Sequence, residues 1–429
     1  MSRDEVQPSE GGFMKRILMI STHGYFEGKP SFGRADTGGQ VVFVIELSKV
    51  LARFGYKVDI LTRKFEDFDQ IEQLTEDVRI VRVPCGGKDF IPKEYLAEYL
   101  PELVDGFAEH CQQDHLSYDF IDSHYWDAGF VGMKLASIFN IPHIFTPHSL
   151  GVWKETRMRQ ASVEEGTEIN EVDFEKKFNF KHRNATEKAI MESVNQVIAT
   201  TPEQKNIINE RYGISEGKIA VITPGFHPDK FKRMETSTLK KVINKYKLPA
   251  RFVLTVGRIT PYKGYDLLIK AFKYVAQEIP GVKLVLAIGS NEPTEMEKRN
   301  KLSQLAESLG LTNNTLFCGY VEKLEAFYNA ADVLVMPSTY EPFGMVAIEG
   351  MACGTPSIVT DRGGLKNFLV DGEDALIVDP IDTQALAEAI LKLLKDRRLY
   401  NEISRKGYEK AHSLFTWERI AENTLKVIS

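Results

Sequence analysis

The chain has 429 residues, and because a single hydrophobic core stops growing at about 250 to 300 residues, one compact domain is excluded in favour of two or three. Lys plus Arg number 54 and Asp plus Glu 60, a net charge of −6, so no overall basic field exists to hold a nucleic-acid backbone or an anionic bilayer. The 43% hydrophobic and 27% charged residues are those of an ordinary globular protein and exclude disorder or a fibrous repeat for most of the length.

Residues 1–13 are polar and acidic, the opposite of a secretory leader, and no apolar run approaches the ~20 residues needed to span a bilayer. A soluble cytoplasmic protein is expected, with small-molecule substrates, no membrane insertion and no nucleic-acid partner. From residue 17 onward, short β-rich apolar runs alternate with helical patterns, which predicts an α/β protein built on parallel sheets covered on both faces. A first series of strands falls at residues 17–21, 58–62, 80–83, 119–123, 143–145, 196–200 and 219–223. Between the first two, Val44, Leu47, Leu51 and Phe54 mark one face of a helix that Gly55 stops. Residues 152–183 are helical in composition and dense in charge, and read as a peripheral insertion.

A charged stretch at 232–250 ends this series, and a second follows at 252–256, 283–288, 315–317, 332–336, 357–360 and 375–378. A helix with Leu386, Ile390, Leu393 and Leu394 at helical spacing closes it. Two doubly wound domains are expected, 1–231 and 232–414, with ligands in a cleft outside the carboxyl ends of the strands. The four cysteines, Cys85, Cys111, Cys318 and Cys353, show no C-x-x-C and the nine histidines no H-E-x-x-H, so buried thiols and no metal site are expected.

Three constellations could carry chemistry. DTGGQ, Asp36 to Gln40, lies between the first strand and its helix, where paired glycines let backbone N–H groups approach an anion at the positive end of the helix dipole. Read alone, a tight turn with a helix cap is the favoured account of a lone Gly-Gly. GRITPYKG, residues 257–264, follows the first strand of the second series, so that Arg258 and Lys263 extend from a strand's carboxyl end, suited to a pyrophosphate; two solvated charges are the plain alternative. YEPFGMVAIEGMACGTP, residues 340–356, carries Glu341 in a loop and Glu349 about two helical turns later, with the N–H groups of Phe343, Gly344 and Met345 opening the helix. Glu349 is followed by Gly350, Met351 and Ala352, an apolar setting in which a carboxylate needs a partner, and hydrogen bonds from a ribose would supply one. Asp67-Phe68-Asp69 matches the D-x-D pattern of metal-dependent transferases but falls in a charged loop and reads as a chance match.

The Gly38-Gly39 loop, the R-x4-K pair (Arg258, Lys263) and the E-x7-E pair (Glu341, Glu349), in this order on two α/β series, resemble the retaining nucleotide-sugar glycosyltransferases of the GT-B fold, family 4, group 1. The likeness runs from about residue 15 to the C-terminus. Residues 82–96, 122–129, 146–154 and 178–183 look in addition like the sucrose-phosphate synthase branch, most of all those members that join mannose to fructose 6-phosphate. The resemblance implies two Rossmann-like domains facing a central cleft, with a last helix, 415–429, returning to pack on the first. It implies transfer of a hexose, with retention, from a nucleotide sugar to fructose 6-phosphate to give a phosphorylated disaccharide. GDP-mannose is the favoured donor, UDP-glucose the alternative and ADP-glucose a third.

Carried over by position, Gly38 and Gln40 touch the acceptor, while Lys93, Tyr125, Ser149, Lys154 and Arg183 hold it and its phosphate. Gly39 joins the donor side with Phe343, Gly344 and Met345; Arg258 and Lys263 hold the pyrophosphate, Glu341 the transferred hexose and Glu349 the ribose. His148 lies beside the reacting sugar in the resemblance, and a core imidazole satisfied by backbone is its plain reading. Where the sucrose-phosphate branch has an adjacent Arg pair, this chain has His182-Arg183, which makes one phosphate contact weaker or pH dependent. No tightly bound cofactor is implied, magnesium is at most a stimulant with no legible site, and a sugar phosphatase is the expected pathway partner.

A covalent intermediate would need two carboxylates about 5 to 5.5 Å apart across the sugar, and only Glu341 is placed for that, so a same-face substitution assisted by the departing diphosphate is implied instead. Closure of the domains would then exclude water. A nucleotide-sugar epimerase has no use for a clamp at Lys93, Lys154 and Arg183, a non-catalytic sugar-phosphate sensor none for Arg258, Lys263 and Glu341, and a glycosidase none for the donor features.

Overall fold

The computed structural model describes residues 14–28, 38–164, 169–289 and 293–428. The acidic segment 1–13 and the Asp36-Thr37 end of the first constellation lie outside the described residues. The chain divides into two units: Met1–Ala199, Lys205–Ile222 and Ala421–Ser429 form unit 1, and Thr200–Gln204 with Thr223–Ile420 form unit 2.

In unit 1, β1 (Arg16–Ile20), β2 (Lys57–Lys64), β3 (Ile71–Thr75), β4 (Val78–Pro84), β5 (Phe120–His124), β6 (His143–Thr146), β7 (Gln196–Ala199) and β8 (Ile219–Val221) form one sheet. Its order is β3-β4-β2-β1-β5-β6-β7-β8. All neighbours run parallel except β3, which is antiparallel to β4. This edge strand corrects the expectation of a purely parallel sheet: IEQLT has no apolar run, and its residues alternate between exposed and half-buried. In unit 2, β9 (Phe252–Gly257), β10 (Lys283–Ile288), β11 (Thr315–Phe317), β12 (Val333–Val335), β13 (Ser357–Thr360) and β14 (Leu376–Val378) form an all-parallel sheet in the order β11-β10-β9-β12-β13-β14.

Unbroken apolar runs suit strands that are buried on both faces. On β9, Phe252 and Leu254 pack into one core and Val253 into the other; β12 repeats the pattern, with Leu334 on the first side and Val333 and Val335 on the second. In unit 1, Leu18, Ile20, Leu61, Val81 and Ile121 form a core with Leu103 and Phe107 of the helix Leu100–Gln113 and Val131 and Leu135 of the helix Trp126–Phe139. Each such side chain contributes roughly 1.5–3 kcal/mol by leaving water.

Three further expectations are corrected. Val44, Leu47 and Leu51 are buried as expected, but Phe54 is 40% exposed, because the helix ends at Arg53 and its period does not extend to the cap. The insertion runs past its expected end at 183 and is divided into three helices, Gly151–Glu164, Glu171–Phe178 and Phe180–Ser193, the last two parted by Asn179 in the left-handed conformation. Cys85, Cys111 and Cys353 are buried thiols, whereas Cys318 is only half-buried. Burial pushes Cys85 and Cys318 up to about 11 and Cys111 to about 12. No helix among the described residues is long and apolar enough to cross a membrane.

Both sheets reverse their strand order about the first strand, β1 lying between β2 and β5, and β9 between β10 and β12. Loops leaving the carboxyl ends of β1 and β5, or of β9 and β12, therefore diverge and leave room for a ligand. Leu254 is fully buried at the centre of the unit 2 sheet. Leu254→Ala is expected to cost roughly 2–5 kcal/mol in urea denaturation, and a loss below about 1 kcal/mol would contradict this packing.

Candidate functional site

In unit 1 the candidate residues lie on the loops and helices that follow β1, β4, β5 and β6. Gly38 caps the helix Gly39–Arg53 in an extended conformation with no side-chain cap of its own. Gln40, one residue into that helix, donates through Nε2 to Ser21 Oγ at 3.1 Å and to the His124 carbonyl at 3.0 Å, which ties the helix start to the ends of β1 and β5. At the end of β5 the chain turns through Tyr125, a bulky residue at φ 80 and ψ 161, directly before the helix Trp126–Phe139. A non-glycine residue there is strained by roughly 1–3 kcal/mol and persists only when its neighbours hold it. They do: the Arg183 guanidinium lies 4.8 Å above the Tyr125 ring, and the His23 ring lies edge-on at 4.6 Å.

After β6, His148 takes a left-handed φ of 55 and its Nε2 lies 3.1 Å from His124 Nδ1. Burial, and then the neighbouring His124 and His23, hold its pKa well below the usual imidazole range, so it is neutral at physiological pH. His23 pairs through Nδ1 with the buried Asp127 at 2.7 Å. Arg183, on the helix Phe180–Ser193, is buried and donates through Nε to Glu187 at 2.8 Å and through Nη2 to the Ser149 carbonyl at 2.6 Å. Burial alone would weaken this cation, but Tyr125 and Glu187 outweigh it and raise its pKa.

These elements enclose a small recess lined by Lys93, Glu94, Tyr125, Trp126, Lys154, Phe178, Asn179, Phe180 and Arg183. Four of the expected acceptor residues, Lys93, Tyr125, Lys154 and Arg183, thus meet at one place, although they are spread over some ninety positions of sequence. Ser149 reaches it through its carbonyl on Arg183. Gly38, Gln40 and His148 do not line it. His182 is exposed, packs edge-on against Trp126 at 5.8 Å and is not among the lining residues. Aromatic faces for a sugar ring beside cations for a phosphate suit a sugar phosphate.

In unit 2 the loops after β9 and β12 meet. Gly257 has φ 146, and a Cβ there would fall 2.6 Å from the Tyr265 hydroxyl, so only glycine fits. Arg258 is exposed beyond it. Pro261–Lys263 form a single 3₁₀ turn that presents Lys263 Nζ to Glu341 Oε2 at 2.5 Å, with Ser338 Oγ on the same oxygen at 3.3 Å. The two residues expected to serve pyrophosphate and hexose separately are therefore an ion pair here. The helix Met345–Ala352 opens at Gly344, φ 121, without a capping side chain, and Phe343 is buried just before it. Glu349 receives the Tyr328 hydroxyl at 2.9 Å, and burial pushes its pKa up to about 7.

Sequence reasoning missed Glu187, His23, Asp127, His124, Glu94, Trp126 and Tyr328. Glu187 had a signal, its i,i+4 spacing from Arg183 on one helix; the His23 and Asp127 pair, 104 positions apart, had none. Asp67 and Asp69 are exposed, and no group of residues among those described could hold a metal ion.

Two doubly wound α/β units, with Arg258 and Lys263 on the loop that leaves the first strand of the second, have the architecture of the GT-B glycosyltransferases. The chain belongs to this glycosyltransferase family, matching the model of glycosyl transferases group 1 over residues 237–410 and that of glycosyltransferase family 4 over residues 37–230. It is 44% identical over 417 residues to the mannosylfructose-phosphate synthase of Agrobacterium fabrum, covering 96% of this chain and 91% of the relative. It is 30% identical to the D-inositol 3-phosphate glycosyltransferase of Corynebacterium urealyticum over 96% of this chain and 95% of the relative. Among solved structures, the sucrose-phosphate synthase of Thermosynechococcus elongatus superimposes with a TM-score of 0.81 at 32% identity, covering 96% of this chain and 98% of the other.

The raised pKa of Glu349 has a consequence for stability. The folded state keeps a proton that the unfolded chain has already released between the ordinary carboxylate range and about pH 7, so stability is lost as pH rises through that window. Glu349→Gln removes the titration, and the variant is expected to lose less melting temperature than the parent between pH 5 and about 7.5; parallel pH profiles would show that the carboxyl is not so perturbed.

Proposed function

We propose that the protein transfers a hexose, with retention of anomeric configuration, from GDP-mannose to fructose 6-phosphate, giving a phosphorylated disaccharide. The observation that carries this reading is the recess of unit 1, where Lys93, Lys154 and Arg183 converge beside Tyr125 and Trp126. An uncharged acceptor has no use for three cations. The names of the relatives agree on a phosphorylated sugar or cyclitol: mannosylfructose-phosphate, sucrose-phosphate and D-inositol 3-phosphate.

In this reading Lys93, Lys154 and Arg183 hold the acceptor phosphate, and Tyr125, Ser149, Gly38 and Gln40 shape the acceptor side. Arg258 and Lys263 hold the donor pyrophosphate, Gly39 and the N–H groups of Phe343, Gly344 and Met345 add to the donor side, Glu341 binds the hexose and Glu349 the ribose. The bond from the anomeric carbon to the diphosphate breaks, and charge builds on the departing oxygens where Arg258 and Lys263 stabilise it. The acceptor hydroxyl attacks from the same face and gives its proton to a departing phosphate oxygen. Glu341, already held by Lys263, orients the hexose rather than attacking it, since a double displacement needs a second carboxylate about 5 to 5.5 Å away. Neutral His148 hydrogen-bonds the reacting sugar. No tightly bound cofactor has a role. A phosphomonoester hydrolase is the class of enzyme that would consume the product.

The second reading is transfer of glucose from UDP-glucose to the same acceptor, favoured by the likeness to the solved sucrose-phosphate synthase. Incubating fructose 6-phosphate with GDP-mannose, UDP-glucose and ADP-glucose in parallel, with products identified by NMR, decides between them; donor turnover without acceptor, or equal use of free fructose, would contradict both. Lys263→Ala is expected to slow turnover roughly 10²–10³-fold at saturating substrates, and Lys154→Ala to raise the KM for fructose 6-phosphate well above any change in the KM for donor.

A further inference from the structure

Glu187 lies one helical turn after Arg183 on the helix Phe180–Ser193 and is wholly buried. A buried carboxylate is costly unless every lone pair finds a donor. Here three elements supply them: Arg183 Nε at 2.8 Å, the Gly151 N–H at 2.9 Å, and the Tyr212 hydroxyl. The Gly151 N–H opens the helix that carries Lys154, so one carboxylate holds two of the three cation-bearing segments of the recess.

The same contacts determine what Arg183 can offer a ligand. Of its five N–H groups, the one on Nε is taken by Glu187, one on Nη2 by the Ser149 carbonyl, and the plane is held over Tyr125. The Nη1 edge makes no hydrogen bond within the protein among the described residues, and Arg183 lines the recess. With its charge matched by Glu187, Arg183 contributes direction more than net charge, and direction is what a guanidinium adds to phosphate recognition.

We propose that Glu187 is a positioning residue for the phosphorylated acceptor: it sets the plane of Arg183, so that the recess selects a phosphate carried on a sugar over a bare anion. This rests on the reading of the recess as the acceptor site. Glu187→Gln keeps the shape but turns an amide NH₂ toward at least one of three donors and leaves the guanidinium charge unmatched, so orientation is lost while attraction for anions is not.

The test is calorimetric binding to the full chain, with fructose 6-phosphate and inorganic phosphate as separate probes. Glu187→Gln is expected to weaken fructose 6-phosphate about tenfold or more, as loss of one charge-assisted contact does, and to leave inorganic phosphate unchanged or tighter. In an Arg183→Gln background, adding Glu187→Gln is expected to change the affinity by less than about twofold, because the carboxylate acts through the arginine. Glu187→Asp keeps the charge and withdraws it by one methylene; it shows the same direction with a smaller loss and decides the matter where the amide variant does not fold. Equal affinity for fructose 6-phosphate in parent and folded variants would overturn the proposal, as would additive losses in the double variant or parallel loss of both probes with melting temperature. If the parent itself binds no fructose 6-phosphate, it is the assignment of the acceptor that fails.

Discussion

Two parallel strands that are neighbours in a sheet cannot be joined by a tight turn; the chain must cross over one face and begin again at the far end. In both units the chain starts from a central strand and proceeds first to one side, β1 to β2 or β9 to β10, and later crosses back to the other, where β5 lies beside β1 and β12 beside β9. The consequence is a gap between diverging loops at one end of each sheet. Gly38, Gln40 and Tyr125 in unit 1, and Arg258, Lys263 and Glu341 in unit 2, sit on such a loop or on the helix that follows it. Each core supports this arrangement by covering both faces and leaving the carboxyl ends to polar residues.

The electrostatics follow the same local logic. A chain with net charge −6 places the cations of its candidate site next to carboxylates: Arg183 on Glu187 at 2.8 Å, Lys263 on Glu341 at 2.5 Å and Lys93 near Glu94 at 3.5 Å. Partly desolvated cations without partners would weaken the fold. Paired, they stay charged and oriented before any ligand arrives, and what a ligand meets is a set of donors in place rather than side chains to be collected from water.

Most of the architecture was legible because it is periodic. Strands buried on both faces read as apolar runs, and their alternation with helices marked the class. Where period and burial part company the reading failed: β3, half-exposed at an edge, had no apolar run, and Phe54 prolonged a helical stripe that the backbone had already left. The candidate residues were legible as loop motifs beside strand ends, each ambiguous alone. Their grouping was legible only through the family resemblance and not from the residues themselves, since Lys93, Lys154 and Arg183 come together only through the crossovers of the sheet. The supporting partners were hardest to see. Glu187 and Tyr328 look like ordinary helix residues until the fold buries them, and Asp127 gains its meaning from a histidine 104 positions away.

The backbone at Tyr125 ties this site to the economy of the whole fold. Its φ of 80 is one that glycine adopts at no cost, yet a tyrosine occupies it, wedged between the edge of His23 and the face of Arg183. Strain of this kind makes the position one where selection for stability and selection for activity pull apart. A screen for thermal resistance alone would drift toward glycine at residue 125 and relax the turn, while stripping the recess of the ring on which its arginine rests.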